Sequence, residues 1–471
     1  MGDRWIVVKA TAAAVVCAGL SWAGAARADW PMYNHDVAGT RFANEEHRLG
    51  PGNASSLAVK WTFPTAGAVT GTPIVTGGRV YVGDLSGGFH ALRDDTGAPL
   101  WHTQLAGPVS GSALVHGSHV IIGDLAGFVY GLDRRTGEID WQVRVSAHPW
   151  AAVYGSPTPV GGLVAIGVAS NEWFAPAVVP GYPCCTFRGA VLMLDPKDGR
   201  IVWQTPTITP EEAALGGSGA PVWSTPTYDP GLDLLFVTTG NNYADPATSL
   251  SDSMIALDPA TGAVVWSNQR YARDTWNVAY PPFPPHPDYD IGDSPQIYSL
   301  ASGQRVIGAG QKSGFFHVLD AETGAEVATR QFQVAGLGVG GMFADSAVAG
   351  GVVFANTSNY FYSGAVVAFS GDASSEQWRF EIGDGGATLS GVATANGVVY
   401  FSAMNGNLYA VDASNGAALA AIPIGAATSG PSIAGGQVFV GTGNGFALYQ
   451  GSAGSGSVVA LGVRGAVPNN D

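Results

Sequence analysis

The sequence predicts an all-β protein folded as a single eight-bladed β-propeller. Three observations lead to this prediction. A short strand–turn–strand unit recurs along the chain, glycine is abundant while charged residues are scarce, and a strand near the start has no partner of its own. Internal repeats of this size are typical of rings and arrays of small units.

The recurring unit is a strand, a turn built on Asp and Gly, and a second strand that often ends in Trp. It is clearest as ALRDDTGAPLW (91–101), GLDRRTGEIDW (131–141), MLDPKDGRIVW (193–203) and ALDPATGAVVW (256–266), and weaker at 318–328, 368–378 and 410–420. Asp bonds its own backbone and Gly accepts a positive φ, so the unit predicts a β-hairpin. Another alternating strand pair precedes each unit, which gives a blade of about four strands.

The blade count follows from the repeat and from a leftover strand. Seven units are complete, and the segment from Ala54 to Trp61 supplies an eighth outer strand. This segment can pair with the C-terminal strands near 438–443 and 458–463 and so close the ring. Each final Trp is expected to wedge between neighbouring blades. A seven-bladed ring is the alternative, and residues 29–471 are predicted to form one domain.

Composition agrees with short strands and tight turns. Glycine accounts for 67 of 471 residues, about double its usual share, and charged residues for 12%, about half theirs. The formal net charge of −15 argues against a nucleic-acid partner, because binding phosphates requires a basic surface.

The first 28 residues are predicted to be a cleavable signal peptide. Arg4 and Lys9 precede an apolar run over 11–25, and Ala26-Arg27-Ala28 has the small-x-small form of a cleavage site. An uncleaved anchor is the alternative. We expect a mature chain that begins at Asp29, has no membrane span and is periplasmic or secreted.

The unit A-x-D-x-x-x-G-x-x-x-W resembles the tryptophan-docking motif of alcohol dehydrogenases that depend on pyrroloquinoline quinone (PQQ). The stretch from Trp30 to Arg41 is similar to the opening of those enzymes, and Tyr182-Pro-Cys-Cys-Thr-Phe-Arg-Gly189 resembles polyvinyl alcohol dehydrogenases. The resemblance implies hydride transfer from an alcohol to PQQ with the help of a metal ion. Non-catalytic propellers that act as outer-membrane assembly scaffolds carry the same motif, so a scaffold is the alternative.

The resemblance also implies the metal ligands. Glu172 follows an apolar strand and precedes Arg188-Gly189, and Asn241 ends a strand in a Thr-Gly-Asn sequence, as the family's ligands do. Asn242 is the alternative to Asn241. Oxygen ligands of this kind suit Ca²⁺. A lone Glu or Asn in a loop is usually solvated, so the prediction depends on finding both.

Three further groups are implied to hold the cofactor. Trp223 matches the aromatic floor under the quinone, and Lys312 matches the cation that bonds the quinone oxygens. Cys184 and Cys185 are adjacent, and we expect them to form a disulfide that roofs the ring; a pair of buried free thiols is the alternative. The oxidising compartment predicted for the chain permits the bond.

The catalytic base is assigned by a motif that is split in this chain. Arg273-Asp274-Thr-Trp-Asn277 carries its first half, and Asp288-Tyr289-Asp290 completes it after a proline-rich insertion. Asp288 is the expected base and a metal ligand, and Asp274 is the alternative base. Asp290 matches an acid that accompanies trivalent metals in some relatives, so calcium or a lanthanide is expected.

The partners are predicted from what the chain carries and lacks. No Cys-x-x-Cys-His sequence for covalent haem occurs, so electrons are expected to pass to a separate acceptor such as cytochrome c. The Cys-Cys stretch favours a secondary or polymeric alcohol as substrate. A sugar or polyol dehydrogenase of the same fold remains the alternative.

Overall fold

The computed structural model describes residues 1–2, 28–280, 285–334, 340–359, 362–383 and 385–463. Within these residues, eight antiparallel sheets surround one axis, which confirms the predicted fold class and excludes the seven-bladed alternative. Nearly all of the predicted signal peptide lies outside the described residues. The single-domain boundaries 29–471 stay a prediction.

The chain starts with a strand that belongs to the last blade and then builds four blades in order. The strands are β1 (Leu57–Thr65); β2 (Ile74–Thr76), β3 (Arg79–Gly83), β4 (Gly88–Arg93) and β5 (Pro99–Gln104) in blade 1; β6 (Leu114–His116), β7 (His119–Gly123), β8 (Phe128–Asp133) and β9 (Ile139–Arg144) in blade 2; β10 (Ala151–Ala152), β11 (Thr158–Val160), β12 (Leu163–Ser170), β13 (Ala190–Leu194) and β14 (Ile201–Pro206) in blade 3; β15 (Ser218–Gly219), which pairs with β18 (Asn242–Ala244) outside the blades; and β16 (Thr227–Asp229), β17 (Leu234–Thr238), β19 (Ser253–Leu257) and β20 (Val264–Gln269) in blade 4.

The second half of the ring is more regular. Its strands are β21 (Gln296–Ser299), β22 (Arg305–Gly310), β23 (Phe315–Asp320) and β24 (Glu326–Gln331) in blade 5; β25 (Ala347–Ala349), β26 (Val352–Asn359), β27 (Ser363–Ser370) and β28 (Glu376–Glu381) in blade 6; β29 (Ala393–Ala395), β30 (Val398–Ser402), β31 (Asn407–Asp412) and β32 (Ala418–Pro423) in blade 7; and β33 (Ser432–Ala434), β34 (Gln437–Thr442) and β35 (Gly456–Val463), joined by β1, in blade 8. The helical segments are short: α1 (Ala175–Val178), α2 (Pro210–Ala214) and 3₁₀ turns at Ala54–Ser56, Glu172–Phe174 and Gly445–Gln450.

The ring closes where the two ends of the chain meet. Strand β1 pairs antiparallel with β35, which places Trp61 opposite Ala460. The innermost strands β33 and β2 then contact each other, as do the inner strands of most other neighbouring blades. The unpaired strand read from the sequence is therefore the closing strand of blade 8, as predicted.

The tryptophans that end the repeats join each blade to the next. Each donates its indole Nε1–H to a backbone carbonyl of the following blade, at 2.9–3.2 Å, in Trp61, Trp101, Trp141, Trp203, Trp266 and Trp378. Each ring also lies against a turn glycine of positive φ in that blade. The predicted wedging of Trp between blades is confirmed.

One of these contacts gives a test of the blade joints. Gly262 has φ +74°, and a Cβ atom there would lie 2.6 Å from Cε3 of Trp203. Gly303 has φ +86° with no atom near that position. We expect Gly303→Ala to cost about 1–2 kcal/mol through backbone strain alone. Gly262→Ala should cost about 1–3 kcal/mol more through overpacking. Urea unfolding of both variants measures the difference, and equal losses would mean that the Trp203 contact is not tight.

The segment before β1 closes one end of the axis. From residue 30 to 43 its backbone pairs in turn with inner strands of blades 1, 2, 4, 5, 6 and 7. Arg41 is fully buried here; its guanidinium donates to the carbonyls of Val392 and Tyr33 and lies 4.9 Å from the Tyr33 ring. Any site on the axis is therefore expected to open at the other end of the ring.

Candidate active site at the axial cavity

A cavity of about 800 Å³ occupies the axis of the ring. Its wall is built from the turns between second and third strands and from the loops that link one blade to the next, because both kinds of connection open on the same face. All eight blades contribute, through Gly71, Gly111, Gly155, Ser224, Ser294, Asp345, Gly391 and Gly430. Trp223, Asn241, Asp288, Asp290 and Lys312 lie in this wall, so the structure brings five of the expected site residues together.

Trp223 presents its indole ring to the cavity from the loop between β15 and β16. Two glycines make room for it: a Cβ atom at Gly292 would lie 2.1 Å from Cη2 of Trp223, and one at Gly240 would lie 3.0 Å from its Nε1. The Lys312 ammonium lies 5.6 Å from the centre of the ring. A flat apolar face beside a buried cation suits an anionic, planar cofactor such as a quinone.

A buried ion-pair cluster lies next to this face. The Nζ atom of Lys312 donates to Oδ1 of Asp288 at 2.7 Å and to Oδ2 of Asp290 at 2.6 Å. The three residues are 4–7% exposed. The two hydrogen bonds from Lys312 fix the carboxylates of Asp288 and Asp290, and both carboxylates remain at the cavity wall.

The two aspartates of the cluster differ in acidity. Burial raises the pKa of Asp288 to about 8, against the opposing charge of Lys312. Burial would also raise the pKa of Asp290, but Lys312 and hydrogen bonds from Asp288 and the Asn241 N–H outweigh it, so that pKa is lowered. Asp288 is therefore the weaker acid of the two, and Asp290 is the carboxylate whose charge Lys312 stabilises more.

Asn241 faces this cluster and Asn242 does not. The Asn241 backbone N–H donates to Asp290 Oδ1 at 2.6 Å, and its Nδ2 donates to the Trp276 carbonyl at 2.8 Å. No donor among the described residues reaches its Oδ1. Asn242 instead uses its whole amide on Ser218 and Thr248, away from the cavity. The geometry favours Asn241 over the alternative.

Glu172 lies outside the cavity wall. Its carboxylate is fully buried and accepts from the Tyr182 hydroxyl at 2.8 Å and from the backbone N–H groups of Thr186 at 2.9 Å and Phe187 at 2.7 Å. Burial and this carboxylate raise the pKa of Tyr182 to about 12. Glu172 holds the loop over 182–187 in place, and its role as a metal ligand stays a prediction.

The two cysteines belong to that same loop. Cys184 and Cys185 are bonded to each other, as predicted. Both are partly exposed, and neither is part of the cavity wall in which Trp223 lies. The disulfide is therefore present, while its role as a roof above the Trp223 ring stays a prediction.

The disulfide can be checked directly. Under denaturing conditions without reductant, the peptide that contains Cys184 and Cys185 should take up no alkylating reagent, and after reduction it should take up two groups. Mass spectrometry of the digested protein distinguishes these states. Alkylation of both thiols before reduction would contradict the pairing.

The cavity also contains residues that the sequence did not single out. Trp173 and Trp276 pack with their ring centres 5.7 Å apart and extend the apolar wall of the cavity. Tyr33, from the segment that closes the axis, donates its hydroxyl to Asp345 in the same cavity. Trp276 stands in the first half of the split motif, so its presence there was a usable signal. Nothing in the local sequence marks Tyr33.

The donor set fits a quinone better than it fits a complete metal site. The Trp223 face, its two glycines and Lys312 form a cradle of the right chemistry. For a hard cation the cavity offers Asn241 Oδ1 and the carboxylates of Asp288 and Asp290, all oxygen donors. Across the described ranges, no three His, Cys, Asp or Glu side chains are arranged to hold a metal ion. The cofactor and further ligands would have to complete such a site.

Fold and site together define a propeller with a buried acid–lysine cluster in an axial cavity. The chain belongs to the propeller family described as "Outer membrane protein assembly factor BamB", whose model matches residues 53–249 and 250–464.

Named relatives confirm the resemblance to PQQ-dependent alcohol dehydrogenases. A polyvinylalcohol dehydrogenase of Pseudomonas sp is 29% identical, over 86% of this chain and 72% of that protein. Another, of Sphingopyxis sp. (strain 113P3), is 30% identical over 64% of this chain and 50% of that protein, so the chain spans half of that relative. The crystal structure of quinohemoprotein alcohol dehydrogenase from Comamonas testosteroni has a TM-score of 0.78 at 19% identity, covering 94% of this chain and 82% of that chain, which is a likeness of fold.

No helix in the described part of the chain is long and apolar enough to cross a membrane.

Proposed function

We propose that this protein is a quinoprotein dehydrogenase that oxidises an alcohol with bound PQQ. The observation that carries the proposal is the Lys312 ammonium, held between Asp288 and Asp290 at 2.7 and 2.6 Å beside the Trp223 ring. Buried titratable groups with displaced pKa values in a cavity are typical of catalytic sites. The polyvinylalcohol dehydrogenases among the relatives support the same reaction class.

PQQ would supply the hydride-accepting carbonyl, which is the cofactor's own chemistry. Asp288 acts as the general base, because it lies in the cavity wall and its pKa is near neutrality. Lys312 orients Asp288 through its hydrogen bond, and its positive charge would stabilise a bound quinone as its oxygens gain electrons. Trp223 supports the flat ring, and Trp173 and Trp276 keep water from the reacting alcohol.

A metal ion would bind beside the cofactor. Asn241, Asp288 and Asp290 are its proposed ligands, and a cation there would polarise the reactive carbonyl. Two carboxylates suit Ca²⁺ or a trivalent lanthanide. Glu172 remains a predicted further ligand: its carboxylate accepts hydrogen bonds from Tyr182, Thr186 and Phe187, and an ionised carboxylate that accepts hydrogen bonds can still coordinate a cation.

The proposed substrate is a secondary or polymeric alcohol of the polyvinyl alcohol type, after the relatives that resemble this chain over most of its length. A sugar or polyol is the alternative substrate. We place the protein in the periplasm or outside the cell, with a separate electron acceptor such as cytochrome c.

An assembly scaffold is the competing function, and the family description favours it. A scaffold has no use for a buried lysine between two buried carboxylates, which is unfavourable unless function retains it. The two functions separate in one assay. Purified protein is incubated with PQQ and Ca²⁺, and dye reduction is followed with ethanol, propan-2-ol, polyvinyl alcohol, glucose and sorbitol. We expect PQQ-dependent reduction with propan-2-ol or polyvinyl alcohol. No reduction with any alcohol, despite bound PQQ, would reject the dehydrogenase.

The acidity of Asp288 predicts a pH dependence. Below its pKa of about 8 the carboxyl is protonated and cannot accept the alcohol proton. The value of kcat/KM should therefore rise with pH to a plateau above that pKa. A bound cation would favour the charged carboxylate and move the rise to lower pH, so the profile is measured at limiting and saturating Ca²⁺. A rate independent of pH from about 5 to about 9, which is from about three units below that pKa to about one unit above it, would argue against a carboxylate base.

A further inference from the structure

Two buried aspartates near the site have no place in the mechanism above. Asp252 comes directly before β19 and is fully buried, and neither of its carboxylate oxygens has a hydrogen-bond partner. Asp274 is also fully buried; its Oδ2 accepts the Tyr289 backbone N–H at 2.5 Å, and its Oδ1 has no partner. Three carboxylate oxygens are thus left without donors in the interior.

These aspartates belong to one electrostatic cluster with the site. Burial, followed by the charge of Asp274, raises the pKa of Asp252 well above its ordinary value. Burial and the charge of Asp290 raise the pKa of Asp274 to about 9. Lys312 is the cation that acts on this cluster, and its hydrogen bonds go to Asp288 and Asp290. Backbone hydrogen bonds place both residues next to Asn241: the Asp252 N–H donates to the Gly240 carbonyl, and the Asp274 carbonyl accepts the Asn242 N–H, each at 3.1 Å.

We propose that Asp252 and Asp274 bind a hard divalent cation such as Ca²⁺, at a site separate from the cofactor's metal. When such an ion binds, carboxylate oxygens without other partners replace water molecules of its hydration shell. Ca²⁺ accepts backbone carbonyls and water as its remaining ligands. Those ligands are needed, since within the described residues no group of three His, Cys, Asp or Glu side chains is arranged to hold a metal ion.

The position of the site gives the cation a structural task. Asp252 is anchored by its N–H to the Gly240 carbonyl at 3.1 Å, next to Asn241, and Asp274 holds the backbone of Tyr289 between Asp288 and Asp290. A cation shared by Asp252 and Asp274 would tie the start of β19 to the loop that carries the proposed base. Asp252 and Asp274 are then positioning residues.

The test counts Ca²⁺ on the wild-type protein, which makes it independent of how the variants fold. Isothermal titration with Ca²⁺ should give one tight site without PQQ and two with PQQ bound. Ca²⁺ should also raise the melting temperature of the PQQ-free protein. A single site in the PQQ-loaded protein, or a PQQ-free protein that Ca²⁺ neither binds nor stabilises, would overturn the proposal and indicate that the two carboxyl groups share a proton instead.

Variants then assign the site. Without PQQ, Asp252→Asn and Asp274→Asn should each weaken Ca²⁺ binding at least ten-fold and abolish the rise in melting temperature. Asp290→Asn and the exposed Asp140→Asn on β9 should retain both. Wild-type Ca²⁺ affinity in Asp252→Asn would also overturn the proposal.

The number of Ca²⁺ ions bound, taken together with the activity, also distinguishes failure of this proposed site from failure of the proposed function. Two Ca²⁺ sites in a protein that oxidises no alcohol would refute the function and leave this site. One Ca²⁺ in an active dehydrogenase would refute the site alone.

Discussion

Asp288→Asn is expected to lower kcat by about 10²–10⁴-fold while leaving the fold and PQQ binding intact, the loss typical of removing a general base. An amide keeps the shape of the side chain and can still accept the Lys312 hydrogen bond, but it cannot take the alcohol proton. Steady-state dye reduction measures the rate, and the PQQ absorbance of the loaded protein measures binding.

Two matched variants show whether the base has been assigned correctly. Asp290→Asn should mainly change metal preference, measured as the ratio of activities with Ca²⁺ and a trivalent lanthanide. Asp274→Asn should affect turnover less than Asp288→Asn. If Asp274→Asn were inactive while Asp288→Asn kept normal turnover, the catalytic acid would belong to the first half of the split motif.

Lys312→Met is expected to destabilise the fold by about 3–5 kcal/mol, the cost of leaving a buried carboxylate without its cation. The lysine is 7% exposed and its ammonium bonds both Asp288 and Asp290. The methionine retains the unbranched stem as far as Cε and removes the ammonium, so the loss chiefly reports the charge. Urea unfolding at neutral pH gives the change in the free energy of unfolding.

The control for this variant is Lys197→Met, in an exposed turn of blade 3. Surface substitutions of this kind usually change stability by less than about 0.5 kcal/mol. A Lys312→Met protein as stable as Lys197→Met would mean that no charged carboxylate faces Lys312.

The fold could be predicted from sequence because its pattern is local and repeated. The Asp–Gly turn and the terminal Trp lie within eleven residues in the unit 256–266, and the docked Trp266 uses the same contact as Trp61. The closing strand was predictable because β1 lacked a neighbour in sequence. The path of residues 30–43 around the axis was not predictable, since each of its backbone bonds reaches a different blade.

The residues of the site that could be predicted are those whose sequence motifs lie in loops on the cavity face of the ring. Asp288, Asp290 and Lys312 meet because the loop between blades 4 and 5 and the second turn of blade 5 open on the same face. Glu172 has contacts that its motif does not predict: the inserted loop supplies backbone donors to its carboxylate. Whether a loop folds back on a carboxylate depends on tertiary contacts that spacing does not encode.

Asp252 shows a second limit. It stands in Ser251-Asp252-Ser253, a sequence typical of a solvated turn, and yet it is fully buried beside three other acids. Only the three-dimensional structure reveals that its oxygens lack partners.

The central claim, that this propeller oxidises an alcohol with PQQ, is tested most directly by a single turnover without oxygen. The protein is loaded with PQQ and Ca²⁺, freed of excess cofactor, and mixed anaerobically with propan-2-ol while the quinone absorbance is recorded. We expect that the absorbance of the oxidised quinone is lost and that one acetone forms per bound PQQ, with both changes strongly slowed in Asp288→Asn. Bound PQQ that stays oxidised in the wild-type protein, with propan-2-ol and with polyvinyl alcohol alike, would contradict it.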